Sequence, residues 1–324
     1  TVATIKENSL TMPGVEIVIR EMDKLQGESY LGLAFMQADS PVQPVMNLTH
    51  EYEQLQHGAD YSKALKDVAN KVSTALQDRQ GFSLEQLTDY GRVKDKLTLQ
   101  LVSQKGNEKI LQDVPHRDME DLALIYRIDL GGGATATIHN KTLAEYGITE
   151  EQLHDDAIRS AAELHPAKIA TMSEMLGMPD MGGPALYVAT NDIGLFGASV
   201  VAYPEMLEEA AQRLQGDYYI LPSSIHEVLL ISAKEAKDFH DLEAMVRQIN
   251  ETEVSPADRL SDKVYRFDSE DRIFELAEKH EKRMQEKTSE KTAEKGLGKL
   301  KEKKAEAALQ PKRPAQPGRE AMAL

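Results

Sequence analysis

The segment Asp217–Ser232, with the sequence DYYILPSSIHEVLLIS, constrains the fold of this chain more than any other stretch. Its two apolar runs, Tyr218–Leu221 and Val228–Ile231, flank a stretch that contains proline, serine, histidine and glutamate. Short apolar runs bounded by turn-forming residues are typical of buried strands. The segment therefore predicts a strand, a tight turn and a second strand inside a sheet.

The central part of the chain repeats this arrangement without repeating its sequence. Alternating apolar residues predict strand pairs, and apolar residues at helical spacing predict a helix after each pair. The expected pairs are Leu122–Leu130 with Ala134–His139, Leu186–Thr190 with Ala198–Tyr203, and Tyr218–Leu221 with Val228–Ile231. Successive hairpin-then-helix units favour an α+β fold with a mostly antiparallel sheet and helices packed on it.

The first 114 residues also mix the two periodicities, so we interpret 1–114 as an N-terminal α+β region and 115–268 as the main α+β domain. Four strands are expected there, at Val15–Met22, Tyr30–Met36, Val42–Leu48 and Thr98–Val102. The third is expected to be a short edge strand, because prolines lie nearby. An amphipathic helix is expected at about Tyr61–Gln77. After Phe267 apolar residues become scarce, and Glu and Lys recur at four-residue intervals from Glu286 onward. Residues 269–324 are therefore predicted to be a charged tail, partly helical and disordered at its end.

Charge is distributed unevenly between the body and the tail. Residues 1–278 contain 25 Lys or Arg and 47 Asp or Glu, a net charge of −22, whereas residues 279–324 contain 13 and 7, a net charge of +6. An acidic body repels phosphate backbones and gains no affinity for nucleic acid from counterion release. We therefore expect the body not to bind nucleic acid, and only the basic tail is suited to such a contact.

Composition also limits the compartment and the chemistry. The chain has no cysteine, which excludes disulfides, thiolate nucleophiles and cysteine-based zinc sites and suits a reducing cytoplasm. No apolar run approaches the roughly 18 residues that a membrane span needs. We expect a cytoplasmic protein that is not associated with a membrane.

Two motifs that invite a cofactor or a metal are incomplete. Gly131–Gly133 lies between two predicted strands and lacks the lysine and the following helix of a phosphate-binding loop, so a hairpin turn is expected. His226-Glu227 begins like the zinc-protease motif, but Leu230 occupies the place of the second histidine. The sequence therefore predicts no cofactor and no metal site.

The remaining candidates for catalysis are Ser223, Ser224, His226 and Glu227. Serine, histidine and a carboxylate are the ingredients of a hydrolytic triad, and residues two apart on a strand point to the same side, as Ser224 and His226 would. The segment lacks the strand-to-helix elbow of serine hydrolases. The preferred interpretation is structural: the serine hydroxyls bind turn amides, and His226-Glu227 hydrogen-bonds across the sheet. Catalysis would require Ser224 and His226 in mutual hydrogen-bond reach and open to a cleft.

Five segments in a fixed order carry a family resemblance. They are MNLTHEYEQLQHG, LQDVPHRDMEDLALIYRI, LYVATNDIGLFGASVVAYPEMLEEAAQRL, YYILPSSIHEVLLI and MVRQINETEVSPADRLSDKVYRFD. Together they resemble an uncharacterised family of Firmicutes proteins, a domain of unknown function, over roughly Val15–Asp268. The charged tail, Met46–Thr49 and Met178–Pro184 depart from that family. The resemblance implies an intracellular bacterial protein, and it transfers no activity, cofactor or catalytic residue.

The sequence thus favours a non-catalytic cytoplasmic binding or regulatory protein whose ligand is another protein. One alternative is a hydrolase that uses Ser224, His226 and Glu227. Another is an accessory factor that contacts nucleic acid through its basic tail. The binding protein and the hydrolase differ in the geometry they require, because only the hydrolase needs the serine hydroxyl beside the histidine ring.

Overall fold

A computed structural model describes the parts of the chain that carry the fold. The described residues are 15–23, 29–37, 45–47, 60, 62–63, 66, 87–131, 134–177, 185–222, 224–236 and 238–289. The chain divides into two units, Thr1–Leu276 and Ala277–Leu324. Most of the helix predicted at Tyr61–Gln77 lies outside the described residues, as does the tail from residue 290.

The first sheet has three antiparallel strands: β1 (Val15–Asp23), β2 (Ser29–Gln37) and β3 (Val45–Asn47). They lie in sequence order, with β2 in the middle. The register pairs Val15 with Gln37, and Gly32 with Asn47. All three strands expected in this region are confirmed, including the short third strand at the sheet edge.

The second sheet is built around one long strand, β6. Its members are β4 (Leu97–Ser103), β5 (His116–Met119), β6 (Leu122–Gly131) and β7 (Ala134–Thr137), and β6 pairs antiparallel with each of the other three. Two short helices belong to this region: α1 (Tyr90–Val93) comes before β4, and α2 (Glu108–Leu111) lies between β4 and β5. β4 and β6 lie on opposite sides of position 114, where the sequence suggested a boundary, so this sheet crosses it.

Side chains along β6 alternate between two faces of the sheet. On the core face, Leu122, Leu124, Tyr126 and Ile128 are buried in the main hydrophobic core. On the other face, Ala123 and Ile125 are buried in a second, smaller apolar cluster. Arg127 and Asp129 follow them on that side, and we call this part of β6 its polar face. The sequence analysis identified this alternation but assigned no role to the polar face.

Helices cover the core face of the sheet. They are α3 (Asn140–Tyr146) and α4 (Glu150–Leu164), and α4 packs against β4. Leu153, Ala157 and Ala161 on α4 are fully buried. The helix begins at a capping residue, because the Thr149 side chain accepts a hydrogen bond from the backbone N–H of Gln152 at 3.1 Å.

The third sheet has six antiparallel strands and places the Asp217–Ser232 hairpin at its centre. In chain order the strands are β8 (Ala167–Thr171), β9 (Leu186–Asn191), β10 (Tyr218–Leu221), β11 (Val228–Ser232), β12 (Tyr265–Asp268) and β13 (Ile273–Leu276). Across the sheet their order is β13-β12-β10-β11-β9-β8. The associated helices are α5 (Met172–Leu176), α6 (Pro204–Arg213) and α7 (Phe239–Thr252). The α+β fold with antiparallel sheets is confirmed.

The strand expected at Ala198–Tyr203 is wrong, because Gly197–Ala202 form a 3-10 helix. Both edges of β9 are already occupied, by β8 and by β11, so no position beside it remains for another strand. The small residues of this helix are buried in the core instead of alternating between core and solvent. The second of the three expected units therefore has a 3-10 helix where its second strand was predicted.

The sheet continues past the position where the sequence analysis began the tail. β13 pairs with β12, with Asp268 opposite Ile273. The strand has too few apolar residues to be predicted beside the charged sequence that follows it. Residues 277–289, which begin the second unit, are helical.

A buried polar contact joins the second sheet to the third. Asp121, in the turn between β5 and β6, accepts hydrogen bonds from the Ser261 hydroxyl at 2.6 Å and from the Tyr265 hydroxyl. Tyr265 is fully buried on β12. Burial, together with the Asp121 carboxylate, raises the pKa of Tyr265 well above its ordinary value, so this phenol stays a hydrogen-bond donor.

Candidate functional site

Three loops at one end of the third sheet are hydrogen-bonded to one another. They are residues 190–198 at the end of β9 and just beyond it, residues 222–227 between β10 and β11, and the 3-10 turn Pro256–Asp258. The connecting bonds run from Thr190 Oγ1 to His226 O at 2.7 Å, from Ala198 N to Ile225 O at 3.2 Å and from Ile225 N to Asp258 O at 2.8 Å. These bonds fix the loops relative to one another, and we call the three together the loop cluster.

Close contact within the loop cluster depends on Gly197. A Cβ atom at this position would collide with Thr190 Oγ1 and with the backbone oxygen of His226, and would lie 2.9 Å from Asn191 N. The preceding residue, Phe196, has φ 55° and ψ 26°, a left-handed conformation that costs a non-glycine residue about 1–2 kcal/mol. The surrounding contacts hold it there, and such strain is concentrated at functional sites.

The ring of His226 is held on two sides. Its Nδ1 accepts a hydrogen bond from the backbone N–H of Phe196 at 3.4 Å, and the two rings stack with centroids 6.2 Å apart. Because Nδ1 accepts, the proton is on Nε2, which lies 3.8 Å from Asp258 Oδ1. The His226 and Asp258 side chains are 36% and 37% exposed, so this pair reaches solvent.

Ser224 and His226 are in a turn, not on a strand. The Ser224 hydroxyl accepts from the backbone N–H of His226 at 3.1 Å, and Ser224 N donates to Glu227 O at 3.4 Å. β11 begins only at Val228, so the expectation that Ser224 and His226 share one face of a strand is wrong. The bond between them joins a hydroxyl to a backbone N–H, whereas a triad joins the hydroxyl to the ring. Ser223 lies outside the described residues.

A second polar group lies beside the loop cluster. His165, at the end of α4, is 9% exposed and lies between two carboxylates. Its Nε2 is 2.9 Å from Asp129 Oδ2, and its Nδ1 is 3.5 Å from Asp192 Oδ1. Asp192 belongs to the first loop of the cluster, so this histidine connects β6 of the second sheet to that loop. The sequence analysis did not single out His165, because its two partners are far from it along the chain.

The polar face of β6 carries the other residues that the sequence analysis missed. Arg127 donates to Thr135 Oγ1 at 2.7 Å, to Thr137 Oγ1 at 2.8 Å and to Gln100 Oε1 at 3.1 Å. These partners come from β7 and β4, the strands on either side of β6 in this part of the sheet. Two sequence patterns could have indicated this cluster. Polar residues alternate with apolar ones along β6, and β7 has two threonines two residues apart, whose side chains lie on the same face.

Arg127 carries a positive charge although its described hydrogen-bond partners are uncharged. Burial lowers the pKa of its guanidinium to about 10, so the group is still cationic at neutral pH. Its guanidinium carbon is 5.1 Å from the centroid of the Phe196 ring, which joins this face to the loop cluster. Within the described part of the chain, all of its hydrogen-bond partners are uncharged.

The Gly131–Gly133 segment is a hairpin connection, as predicted. β6 and β7 pair antiparallel up to Gly131 and Ala134, and Gly131 has φ 82°. Gly132 and Gly133 lie outside the described residues. Among the residues that are described, no three His, Asp or Glu side chains are grouped to hold a metal ion. None of the helices in that part of the chain has the length and apolar character needed to cross a membrane.

Comparison with known proteins identifies a family and no activity. No curated protein and no solved structure matches the chain. A family model described as a family of unknown function (DUF5688) matches residues 2–269. The match extends from before β1 to just after β12, and it confirms the resemblance to an uncharacterised domain family. The chain belongs to the family of unknown function DUF5688.

Proposed function

We propose that this protein is a non-catalytic cytoplasmic binding protein, that its ligand is another protein, and that the loop cluster is the surface that contacts this partner. The observation that carries the proposal is the use made of Ser224 and His226. The serine hydroxyl and the histidine Nδ1 each accept a backbone N–H of the loop cluster. Both groups therefore stabilise a rigid surface, and their arrangement differs from the serine–histidine relay of a hydrolase.

The loop cluster exposes one large apolar side chain and several polar ones. Ile193, in the first loop, is 50% exposed. Asp192, His226 and Asp258 belong to the same loops and are partly exposed. Interfaces between proteins combine apolar and polar groups in this way.

The charge of the chain favours a basic partner. Residues 1–278 carry a net charge of −22, which attracts cationic surfaces and accelerates their association. The carboxylates of Asp192 and Asp258 in the loop cluster are partly exposed and offer acceptors to basic side chains of the partner. Association should therefore slow as salt is added, because the steering between exposed charges is screened.

A photo-crosslinking amino acid at position 193 tests the proposal. We expect one discrete protein adduct in an extract of the source cells, and competition by unlabelled wild-type protein but not by Ile193→Asp. The matched control is position 175, because Met175 on α5 is 52% exposed and lies outside the loop cluster. The absence of an adduct at position 193, or equal adducts at both positions, would contradict the proposal.

A further inference from the structure

Arg127 and Arg266 are held in two similar settings that differ in charge. Each guanidinium lies over an aromatic ring, at 5.1 Å from Phe196 for Arg127 and at 5.3 Å from Tyr219 for Arg266. Arg266 donates to the carboxylate of Asp217 at 2.9 Å. Arg127 has only hydroxyl and amide oxygens as partners in the described part of the chain. One part-buried arginine is thus neutralised by a carboxylate, and the other has no carboxylate partner among the described residues.

The contacts of Arg127 leave some of its donors without a described partner. Its described hydrogen bonds use Nε and Nη1, so the two N–H groups of Nη2 have no partner among the described residues. The Thr135 and Thr137 hydroxyls accept from the guanidinium, which leaves the hydrogen of each free to donate. Arg127 and both threonines are partly exposed, so solvent reaches this group of donors.

A partly desolvated cation with only neutral partners is costly, because these partners do not fully replace the hydration of its charge. The cost is offset when an anion occupies the remaining donor positions. Guanidinium groups are suited to this role because their N–H groups match the oxygens of planar anions. The position next to Nη2 therefore has the charge and the donors of an oxyanion site.

We propose that Arg127, Thr135 and Thr137 form a binding site for a carboxylate group. The site has one cation, which a single negative charge neutralises. Asp129 lies two residues along the same face of β6, and the body of the chain is strongly acidic, so a dianion such as phosphate is disfavoured there. The Phe196 ring beside the guanidinium offers an apolar surface to the group that carries the carboxylate. This inference goes beyond the proposed protein partner, because it concerns the chemical group recognised and holds whether or not a protein carries it.

The test compares benzoate with benzamide, which has a similar shape and no charge. The full chain is melted at increasing ligand concentration, with sodium chloride added to keep the ionic strength constant. We expect benzoate to raise the melting temperature in a saturable way, by about 5 °C at a hundredfold excess over Kd. Benzamide and inorganic phosphate should cause much smaller shifts. Equal shifts with benzoate and benzamide, or no saturable shift with benzoate, would overturn the inference.

Variants locate the effect at this site. Arg127→Gln should weaken benzoate binding at least tenfold, and Thr137→Val should weaken it several-fold. The matched control is Arg266→Gln, which removes the arginine that already has a carboxylate partner and should leave the benzoate shift unchanged. A full benzoate shift in Arg127→Gln would contradict the assignment. If Arg127→Gln does not fold, the comparison of benzoate with benzamide on the wild-type protein and the Thr137→Val result still decide.

A second pair of ligands identifies the source of the carboxylate. A short peptide with a free C-terminal carboxylate is compared with the same peptide carrying a C-terminal amide. If the peptide with the free C-terminal carboxylate binds more tightly than benzoate, the natural ligand is the carboxylate of a chain terminus. If the peptide and benzoate bind with similar affinity, the natural ligand is a small acid. Both results support a carboxylate site. Equal binding of the acid and the amide overturns it.

Discussion

Phe196 holds His226 through both its ring and its backbone. The two rings are nearly parallel, at 8°, with centroids 6.2 Å apart, and the Phe196 N–H points to His226 Nδ1 at 3.4 Å. Phe196 makes both contacts from a left-handed backbone conformation. The histidine is therefore a structural partner of a strained residue, which accounts for a polar ring in an otherwise apolar hairpin.

Removal of the His226 ring should lower stability. We expect His226→Ala to decrease the free energy of unfolding by about 1–3 kcal/mol, because Phe196 loses its hydrogen-bond and stacking partner. Ser224→Ala should cost about 1 kcal/mol or less, since only the acceptor of one turn amide is lost. Urea unfolding monitored by circular dichroism measures both.

The same two variants address the hydrolase alternative. A panel of generic ester and peptide substrates should show no turnover that depends on Ser224. His139→Ala is the matched control for stability, because His139 is 48% exposed and pairs with Asp113 at the surface, and this change should have little effect. Hydrolysis that disappears in Ser224→Ala and His226→Ala, with unchanged melting curves, would contradict the binding-protein proposal.

Gly197→Ala should be among the most damaging single-methyl additions in the chain. The new Cβ would collide with the backbone oxygen of His226, which cannot move without separating the loops. Overpacking of this kind costs about 1–3 kcal/mol, and more when backbone must shift. Differential scanning calorimetry checks this against Gly91→Ala, at an exposed position of α1, where the new Cβ meets only the Asp89 side chain, at 3.2 Å. A Gly197→Ala protein as stable as Gly91→Ala would mean that the loops do not pack as described.

Asp217 should contribute stability that depends on pH. Burial raises the pKa of its carboxyl, but hydrogen bonds from Arg266 and Ser269 outweigh this and lower it to about 2. Because the pKa in the folded state lies below the unfolded value of about 3.9, the stabilisation is present above pH 4 and is lost as the pH falls towards 2. After allowance for solvent screening its size is about 1 kcal/mol.

Unfolding by urea between pH 2 and pH 7 checks this expectation. The difference in stability between wild type and Asp217→Asn should be largest at neutral pH and should shrink below pH 4. Asp118→Asn serves as the control, because the Asp118 side chain is 71% exposed. A difference for Asp217→Asn that stays constant down to pH 2 would mean that its ion pair with Arg266 contributes no pH-dependent stability.

The basic tail gives a prediction about nucleic acid. If residues 279–324 contact nucleic acid, affinity should fall steeply as salt increases from 50 to about 200 mM, because phosphate contacts release counterions. A chain that ends at Ser289 should lose most of this binding and keep the melting temperature of the full chain, since residues 290–324 contain few apolar side chains. Fluorescence anisotropy with a labelled duplex measures the affinity. Binding that is insensitive to salt or to the truncation would contradict a role for the tail.

The parts of the fold that were predictable have strong local patterns. The hairpin of β10 and β11 has two uninterrupted apolar runs around a turn, and α4 begins at a threonine that caps it. β8 and β13 were not predicted, since each is a short strand whose conformation depends on a neighbour already in place. The 3-10 helix Gly197–Ala202 was misassigned for the same reason, because the occupancy of both edges of β9 is a property of the sheet.

The candidate site was predictable only in part. Ser224 and His226 stood out because they are polar residues in an apolar segment, and the structural role expected for the serine hydroxyl is what the turn shows. The contributions of Phe196 and Arg127 could not be predicted. The role of Phe196 depends on a backbone conformation that aromatic residues rarely adopt. The role of Arg127 depends on uncharged hydrogen-bond partners that two other strands supply.

The contact of Asp121 with Ser261 and Tyr265 has a consequence during synthesis. The two partners follow Asp121 by 140 and 144 residues, so its carboxylate is made long before them. At a ribosomal rate of about 5–20 residues per second, this interval is roughly 7–30 seconds. For that time the growing chain must keep the turn between β5 and β6 in place by neighbouring contacts alone. The last strands of the third sheet then complete a contact whose acceptor was made 140 residues earlier.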